Sequence, residues 1–163
     1  MYVGFGSMLG QAGVLDELIV PALRRAGLRG VVQRGWAGLA PRTAGRDDLL
    51  GIDEVPHEWL FPRMAAVVHH AGGGTTAAGL RAGVPAVPVP MLGDQPFWAA
   101  RLRGLGVSPD VLPPARLGVP RLAAALAAAV RDPSYARRAR TLAGRLAGED
   151  GAAAVLRAVD RLG

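Results

Sequence analysis

Apolar residues fall along this chain in two alternating rhythms. Short runs rich in branched and aromatic side chains recur at Tyr2–Phe5, Gly30–Gln33, Ile52–Val55, Ala65–His69 and Ala86–Val89. Each is too short for a helix and reads as a buried strand. Between them the apolar spacing changes to three and four. Leu15, Leu18, Ile19, Ala22 and Leu23 form one stripe on a helix from about Val14 to Ala26, closed by Gly27. A brief helix opens at Pro56, a second covers Thr75 to Arg81, and a third runs from Pro96 to about Leu105. Three more are predicted at Pro120–Val130, Pro133–Ala147 and Gly151–Leu162, while Val107 and Val111–Leu112 offer at most a short last strand. Strand and helix alternate through the first two thirds. That order predicts an α/β fold, a Rossmann-like parallel sheet with helices on both faces. The 163 residues are most simply one domain.

Such sheets bind ligands at the carboxyl ends of their strands. Three loops belong there: Gly6 to Gly10, His70 to Thr75, and Gly93 to Gln95. In the second, Val67-Val68-His69-His70-Ala71-Gly72-Gly73-Gly74-Thr75-Thr76 reads as strand, glycine turn and helix start. Free backbone N–H groups and the positive end of a helix dipole make that order a phosphate cradle, although the same glycines would also suit a plain tight turn. His70, at the strand tip, could donate a ring N–H to a phosphate oxygen. Ser7 after Gly6 offers a hydroxyl and an N–H, or simply completes a turn. Asp94 and Gln95 pair a carboxylate with a carboxamide, a combination suited to vicinal hydroxyls of a sugar; a helix cap before Pro96 is the alternative. Trp36 and Val55-Pro56-His57 could form a slot for a planar base, with Trp36 equally suited to packing. Together the loops suggest a diphosphate carrying a flat base at one end and a sugar at the other.

Composition removes several classes. Half the residues are hydrophobic, which argues against disorder, and there is no cysteine, so disulfides and thiolate chemistry are excluded. His57, His69 and His70 do not form a metal site, because adjacent strand side chains point to opposite faces; no metal and no cofactor are expected. The net charge of +6 comes entirely from arginine over acid. Those arginines are scattered, apart from Arg137-Arg138-Arg140, which lie near Asp132, Glu149 and Asp150, so a solvated helix face is expected and not a nucleic-acid surface. The longest apolar helical run, Leu122 to Val130, is far short of the roughly 20 residues that span a bilayer. Met1 leads directly into the first strand without a basic leader. A cytoplasmic chain with no integral membrane segment is expected.

Gly4-Phe5-Gly6-Ser7-Met8, Val55-Pro56-His57-Glu58-Trp59-Leu60-Phe61-Pro62, His69 to Thr76, Ala82-Gly83-Val84-Pro85 and Gly93-Asp94-Gln95-Pro96-Phe97-Trp98 occur in this order. Over nearly its whole length the chain resembles the carboxy-terminal, donor-binding half of a GT-B glycosyltransferase. The similarity is to the UDP-glycosyltransferase superfamily, on the branch of sterol glucosyltransferases and bacterial antibiotic glycosyltransferases. The resemblance implies that Ser7 and His70 contact the donor diphosphate. It implies that Gly72, Gly73, Gly74, Thr75 and Thr76 hold phosphates through backbone and hydroxyl groups. Asp94 and Gln95 would bind the donor sugar, and Val55 to His57 would line the base pocket. Transfer would invert the anomeric carbon without a metal, with His70 and the helix dipole stabilising the departing diphosphate. Bacterial relatives usually read His-His-Gly-Gly-Ala-Gly-Thr-Thr; here Ala71 and Gly73 exchange the small residues, which should be tolerated because neither carries a side-chain function. Plant relatives place a ribose-binding glutamate where this chain has Ala78. The family's acceptor pocket and general base belong to an amino-terminal domain that this chain lacks, so weak donor binding and no transfer by the chain alone are expected. An excised domain or truncated product is implied.

Two other classes remain. Gly4-x-Gly6-x-x-x-Gly10 after a strand, with Arg34 near the second strand's end, suits an NADP-dependent oxidoreductase; it leaves His70 to Thr76 and Asp94-Gln95 unexplained. A non-catalytic interaction module would instead expose an apolar face for a partner domain.

Overall fold

The computed structural model describes residues 1–6, 12–35 and 47–162, without the side chains of 12–16 and 154. Five strands form one sheet: β1 (Tyr2–Val3), β2 (Gly30–Gln33), β3 (Leu49–Ile52), β4 (Val67–His69) and β5 (Ala86–Pro88). Their order is β3-β2-β1-β4-β5, and every pairing is parallel. Tyr2 lies between Val31 and Val67, and Val3 between Val32 and Val68. The predicted α/β class is the observed one.

Alternating strand residues supply two cores, as expected of a sheet covered on both sides. Val3, Val32, Leu49, Val68 and Val87 pack with Ile19 and Leu23 of α1 (Ala12–Arg25) and with Leu122 and Leu126 of α5 (Val119–Arg131). Tyr2, Val67 and Ala86 face the opposite way. They meet Leu60 of α2 (His57–Leu60), Phe61, Leu102 of α4 (Gln95–Gly104) and Ala139 of α6 (Pro133–Leu146). α3 (Gly73–Arg81) lies on this second side, packed against α6.

Helix starts follow local chemistry. Asp132 caps α6 by accepting from the Ser134 N–H at 2.8 Å, with Pro133 in the first turn. Asp150 caps α7 (Gly151–Asp160) by accepting from the Ala153 N–H at 2.9 Å.

Three elements differ from their sequence-based expectation. β3 lies three residues earlier than Ile52–Val55, because Gly30 to Gln33 pair in register with Leu49 to Ile52; the exposed Asp53 and Glu54 and the following Pro56 carry the chain off the sheet. α3 begins at Gly73, so two glycines expected in the turn form the first helical turn. The segment at 107–112 is not a strand. It runs beside β5 through Ala86 N–H to the Val107 carbonyl at 3.0 Å and Leu112 N–H to the Pro88 carbonyl at 3.0 Å. No helix among the described residues is long and apolar enough to cross a membrane.

Candidate functional site

The β4–α3 turn is built on an unusual backbone. His69 is fully buried, and its Nδ1 accepts the N–H of Ala71 at 3.1 Å. Burial drives the His69 pKa down to about 3, so the ring is neutral, and it is structural. Ala71 then takes φ +68 while wholly buried, a left-handed conformation that favours glycine. The exchange of small residues at 71 and 73 is therefore accommodated at a cost. Position 71 carries a backbone demand even though it carries no side-chain function.

Past Ala71, Gly72 is extended and its carbonyl accepts the Thr76 N–H at 2.9 Å. The N–H groups of Gly73, Gly74 and Thr75 are left as the free donors of the first helical turn. Thr76 does not join them. Its side chain is 2% exposed, its hydroxyl has no hydrogen-bond partner, and it lines a separate cavity of about 270 Å³ with Leu80, Trp98, Leu102 and Leu142. One step along α3 turns the Thr76 side chain toward α4 and α6.

His70 lies over this turn. A Cβ on Gly72 would stand 2.5 Å from its Nε2, and one on Gly6 would stand 3.5 Å from its Cε1. The ring is thus wedged between the tips of β1 and β4. Gly6 itself adopts φ +56. Burial lowers the His70 pKa, and the Asp94 carboxylate pulls it the other way. Its Nδ1 is buried without a partner. An unpaired lone pair costs less than an unpaired N–H, which puts the proton on Nε2, the nitrogen beside Gly72.

Asp94 and Gln95 separate in role. Asp94 occupies the cap position of α4, but its side chain makes no cap bond. Its Oδ2 instead accepts the Trp98 indole N–H at 2.8 Å, one helical turn on. Trp98 also packs on the start of α3, with its Nε1 3.4 Å from where a Gly73 Cβ would stand. Gln95 is 5% exposed, and its Oε1 accepts the N–H groups of Met91 at 2.8 Å and Leu92 at 3.1 Å. Its carboxamide oxygen shapes the loop after β5, while Asp94 stays exposed.

On the other side of β1, Gln33, Glu54, Val55, Pro56 and His57 line an open cavity of about 540 Å³. His57 stacks on Phe61 at 4.3 Å between ring centroids and 19° between planes. Burial lowers its pKa, so it is neutral as well. Gly35 joins this corner to the end of β1: a Cβ there would stand 2.8 Å from the Gly6 carbonyl oxygen. Ser7 and Trp36 lie outside the described residues.

The structure therefore brings Gly6, His70, Gly72 to Thr75 and Asp94 to one rim, with Val55 and His57 beside them. It carries Thr76 inward and gives the Gln95 oxygen to the loop backbone. Gln33, Tyr2 and Trp98 escaped sequence reasoning. Gln33 could have been found from its place at a strand's carboxyl end, and Trp98 from its spacing of four from Asp94. Among the described residues no group of three or more histidine, aspartate or glutamate side chains could hold a metal ion. Arg34 faces Asp53 at 3.6 Å, which weakens it as a 2′-phosphate site.

Residues 42–162 match the model of the family described as Erythromycin biosynthesis protein CIII-like, C-terminal domain. The sterol 3-beta-glucosyltransferase UGT80A2 of Arabidopsis thaliana is 42% identical over 159 residues, covering 97% of this chain and 25% of that protein. The crystal structure of the kitacinnamycin glycotransferase superposes with a TM-score of 0.82 at 27% identity, covering 98% of this chain and 42% of that one. The glycosyltransferase VinC in complex with DTDP gives 0.69 at 26% identity, covering 90% and 37%. The chain spans about a quarter of the length of the curated sterol relatives of Arabidopsis it matches. It belongs to the Erythromycin biosynthesis protein CIII-like C-terminal domain family, the carboxy-terminal domain of the UDP-glycosyltransferase superfamily and one half of the GT-B fold.

Proposed function

We propose that this domain binds a nucleotide-diphosphate sugar, with a UDP-sugar favoured, as the donor half of an inverting glycosyltransferase. The whole enzyme would move the sugar to an acceptor hydroxyl of a lipid or natural product. One observation carries most of the weight: His70 sits between Gly6 and Gly72, with the Asp94 charge felt at its ring. The tips of β2, β1, β4 and β5 are consecutive neighbours in the sheet, so they span about 14 Å at the usual strand spacing. That length suits a base at β2, a diphosphate at β1 and β4, and a sugar at β5.

Each part has a physical task. The free N–H groups of Gly73, Gly74 and Thr75, at the positive end of α3, meet the phosphate oxygens. The Nε2–H of His70 donates to the bridging or β-phosphate oxygen, where negative charge grows as the sugar leaves. Ser7 would add to this from the β1 loop. Asp94 accepts from sugar hydroxyls, Gln95 holds the loop that presents it, and Val55, His57 and Trp36 flank the base. No metal is needed, since backbone dipoles and His70 supply the positive field. The general base that deprotonates the acceptor belongs to an amino-terminal acceptor-binding domain; the greater length of the relatives supports this. The isolated domain would bind donor and transfer nothing.

Titration calorimetry with UDP-glucose, UDP and NADPH tests the assignment. Saturable binding of the uridine ligands is expected. Binding of NADPH with none of UDP would overturn it in favour of an oxidoreductase.

A further inference from the structure

The cavity at the tips of β2 and β3 has a donor whose direction is fixed from below. Tyr2 is 2% exposed, with its ring 4.9 Å from Phe61 and 5.8 Å from His57 between centroids. Its hydroxyl passes Gly4, where a Cβ would collide with it at 2.0 Å. It donates to Oε1 of Gln33 and lies 3.4 Å from Nε2 of His57. A phenol has one proton to give. With the Gln33 oxygen turned to the phenol, the carboxamide leaves its NH2 group to the cavity it lines with Glu54, Val55, Pro56 and His57.

β2 is two strands from β4, so Gln33 stands about 10 Å along the rim from the diphosphate cradle. A base joined to that diphosphate through its ribose reaches this cavity. An NH2 donor there pairs with a ring carbonyl oxygen. It opposes a ring amino group, which sets two donors face to face. We propose that Gln33, oriented by the Tyr2 hydroxyl, makes this site select a pyrimidine dione, uracil or thymine, over the amino-bearing cytosine. The proposal rests on the donor-binding assignment above.

UDP and CDP binding to the native chain, to Gln33→Glu and to Tyr2→Phe tests it, with melting curves establishing that each variant is folded. The native chain should bind UDP about 10- to 100-fold tighter than CDP. Gln33→Glu replaces the donor by an acceptor of the same shape. Its added charge weakens both ligands alike, so the ratio is the readout, and it should fall to one or below. Tyr2→Phe keeps the ring packing and frees the carboxamide to turn over, so the ratio should drop severalfold without reversing. A Gln33→Glu chain that binds UDP and keeps the native ratio overturns the role of Gln33 while leaving donor binding intact. An unchanged ratio in Tyr2→Phe overturns the role of Tyr2. A native chain that binds neither nucleotide removes the donor assignment itself.

Discussion

Three adjacent glycines at the start of α3 should respond differently to the same added methyl. In Gly72→Ala the new Cβ would stand 2.5 Å from Nε2, 3.2 Å from Cδ2 and 3.4 Å from Cε1 of His70. Gly72 has φ −63 and ψ 145, a backbone any residue adopts, so the collision is the main effect. To restore ordinary contact the imidazole must retreat by about 1 Å, which is enough to break a hydrogen bond to phosphate. A bond of that kind, to a charged group, contributes roughly 1.5–3 kcal/mol, so UDP should bind about 10- to 100-fold more weakly. Stability should fall by only about 0.5–1 kcal/mol, the loss on placing alanine at a helix cap. Gly73→Ala meets Trp98 at 3.4 Å, an ordinary contact, and should bind normally. Gly74→Ala meets nothing within 4 Å and opens onto the cleft of Glu58, Pro62 and Ala78. Inside a helix alanine should gain about 0.5–1 kcal/mol over glycine, a rise of about 1–4 °C in Tm for a chain this size. Calorimetry with UDP and thermal melting read both quantities. Native UDP affinity in Gly72→Ala, or an equal loss in Gly74→Ala, would refute the placement of His70 at the diphosphate.

Trp98→Phe keeps the ring against Gly73 but removes the N–H that holds Asp94. UDP affinity should stay the same while the preference for UDP-glucose over UDP falls about two- to fivefold; Asp94→Asn should lower that preference further, and loss of UDP affinity in either would contradict the division of labour. His69 sets an acid limit, because its folded pKa of about 3 lies below its ordinary 6.5. Below pH 6.5 the unfolded chain takes a proton that the folded chain refuses, so stability is complete above 6.5 and declines by up to about 1.4 kcal/mol per pH unit toward pH 3. Urea unfolding at pH 7.0, 5.5 and 4.5 should follow that slope, and His69→Asn, whose amide oxygen can still accept the Ala71 N–H, should flatten it; an unchanged slope would count against the buried ring. Ala71→Gly relieves about 1–2 kcal/mol of left-handed strain but gives up a buried methyl worth about 0.8 kcal/mol and loosens the unfolded chain by about 0.4–1 kcal/mol. The net should be within about 1 kcal/mol of native by the same unfolding assay, and a loss above about 2 kcal/mol would show that the methyl matters more than the strain.

The sheet and its rim were legible because parallel strands must be apolar on both faces and their ligand loops follow one rule. β2 falls at Gly30 to Gln33 as the pattern predicts, and Gly6 after β1 meets His70 of the loop after β4 as the alternation requires. β3 was displaced because Leu49 to Ile52 contains a glycine and lies beside charged residues, while its true signal is register with β2. The motifs name Thr76 and Gln95 without saying which way their side chains turn. Which way a side chain turns depends on where the helix begins, and α3 and α4 each begin earlier than their glycine and proline signals suggest. Gln33 and Tyr2 lie outside the motifs, and Trp98, at the end of one, receives no role from it. Their roles arise from contacts across 31 residues, in the first two, and from one helical turn in the third.

Amide spectra of the isotopically labelled chain, titrated with UDP-glucose, bear most directly on the central claim that one rim holds base, diphosphate and sugar. Saturable shifts are expected together at Gly6, at Val55 and His57, at His70 to Thr75, and at Asp94, with UDP alone leaving Asp94 nearly still. Saturable shifts confined to another surface, or no shifts at millimolar donor, would contradict it.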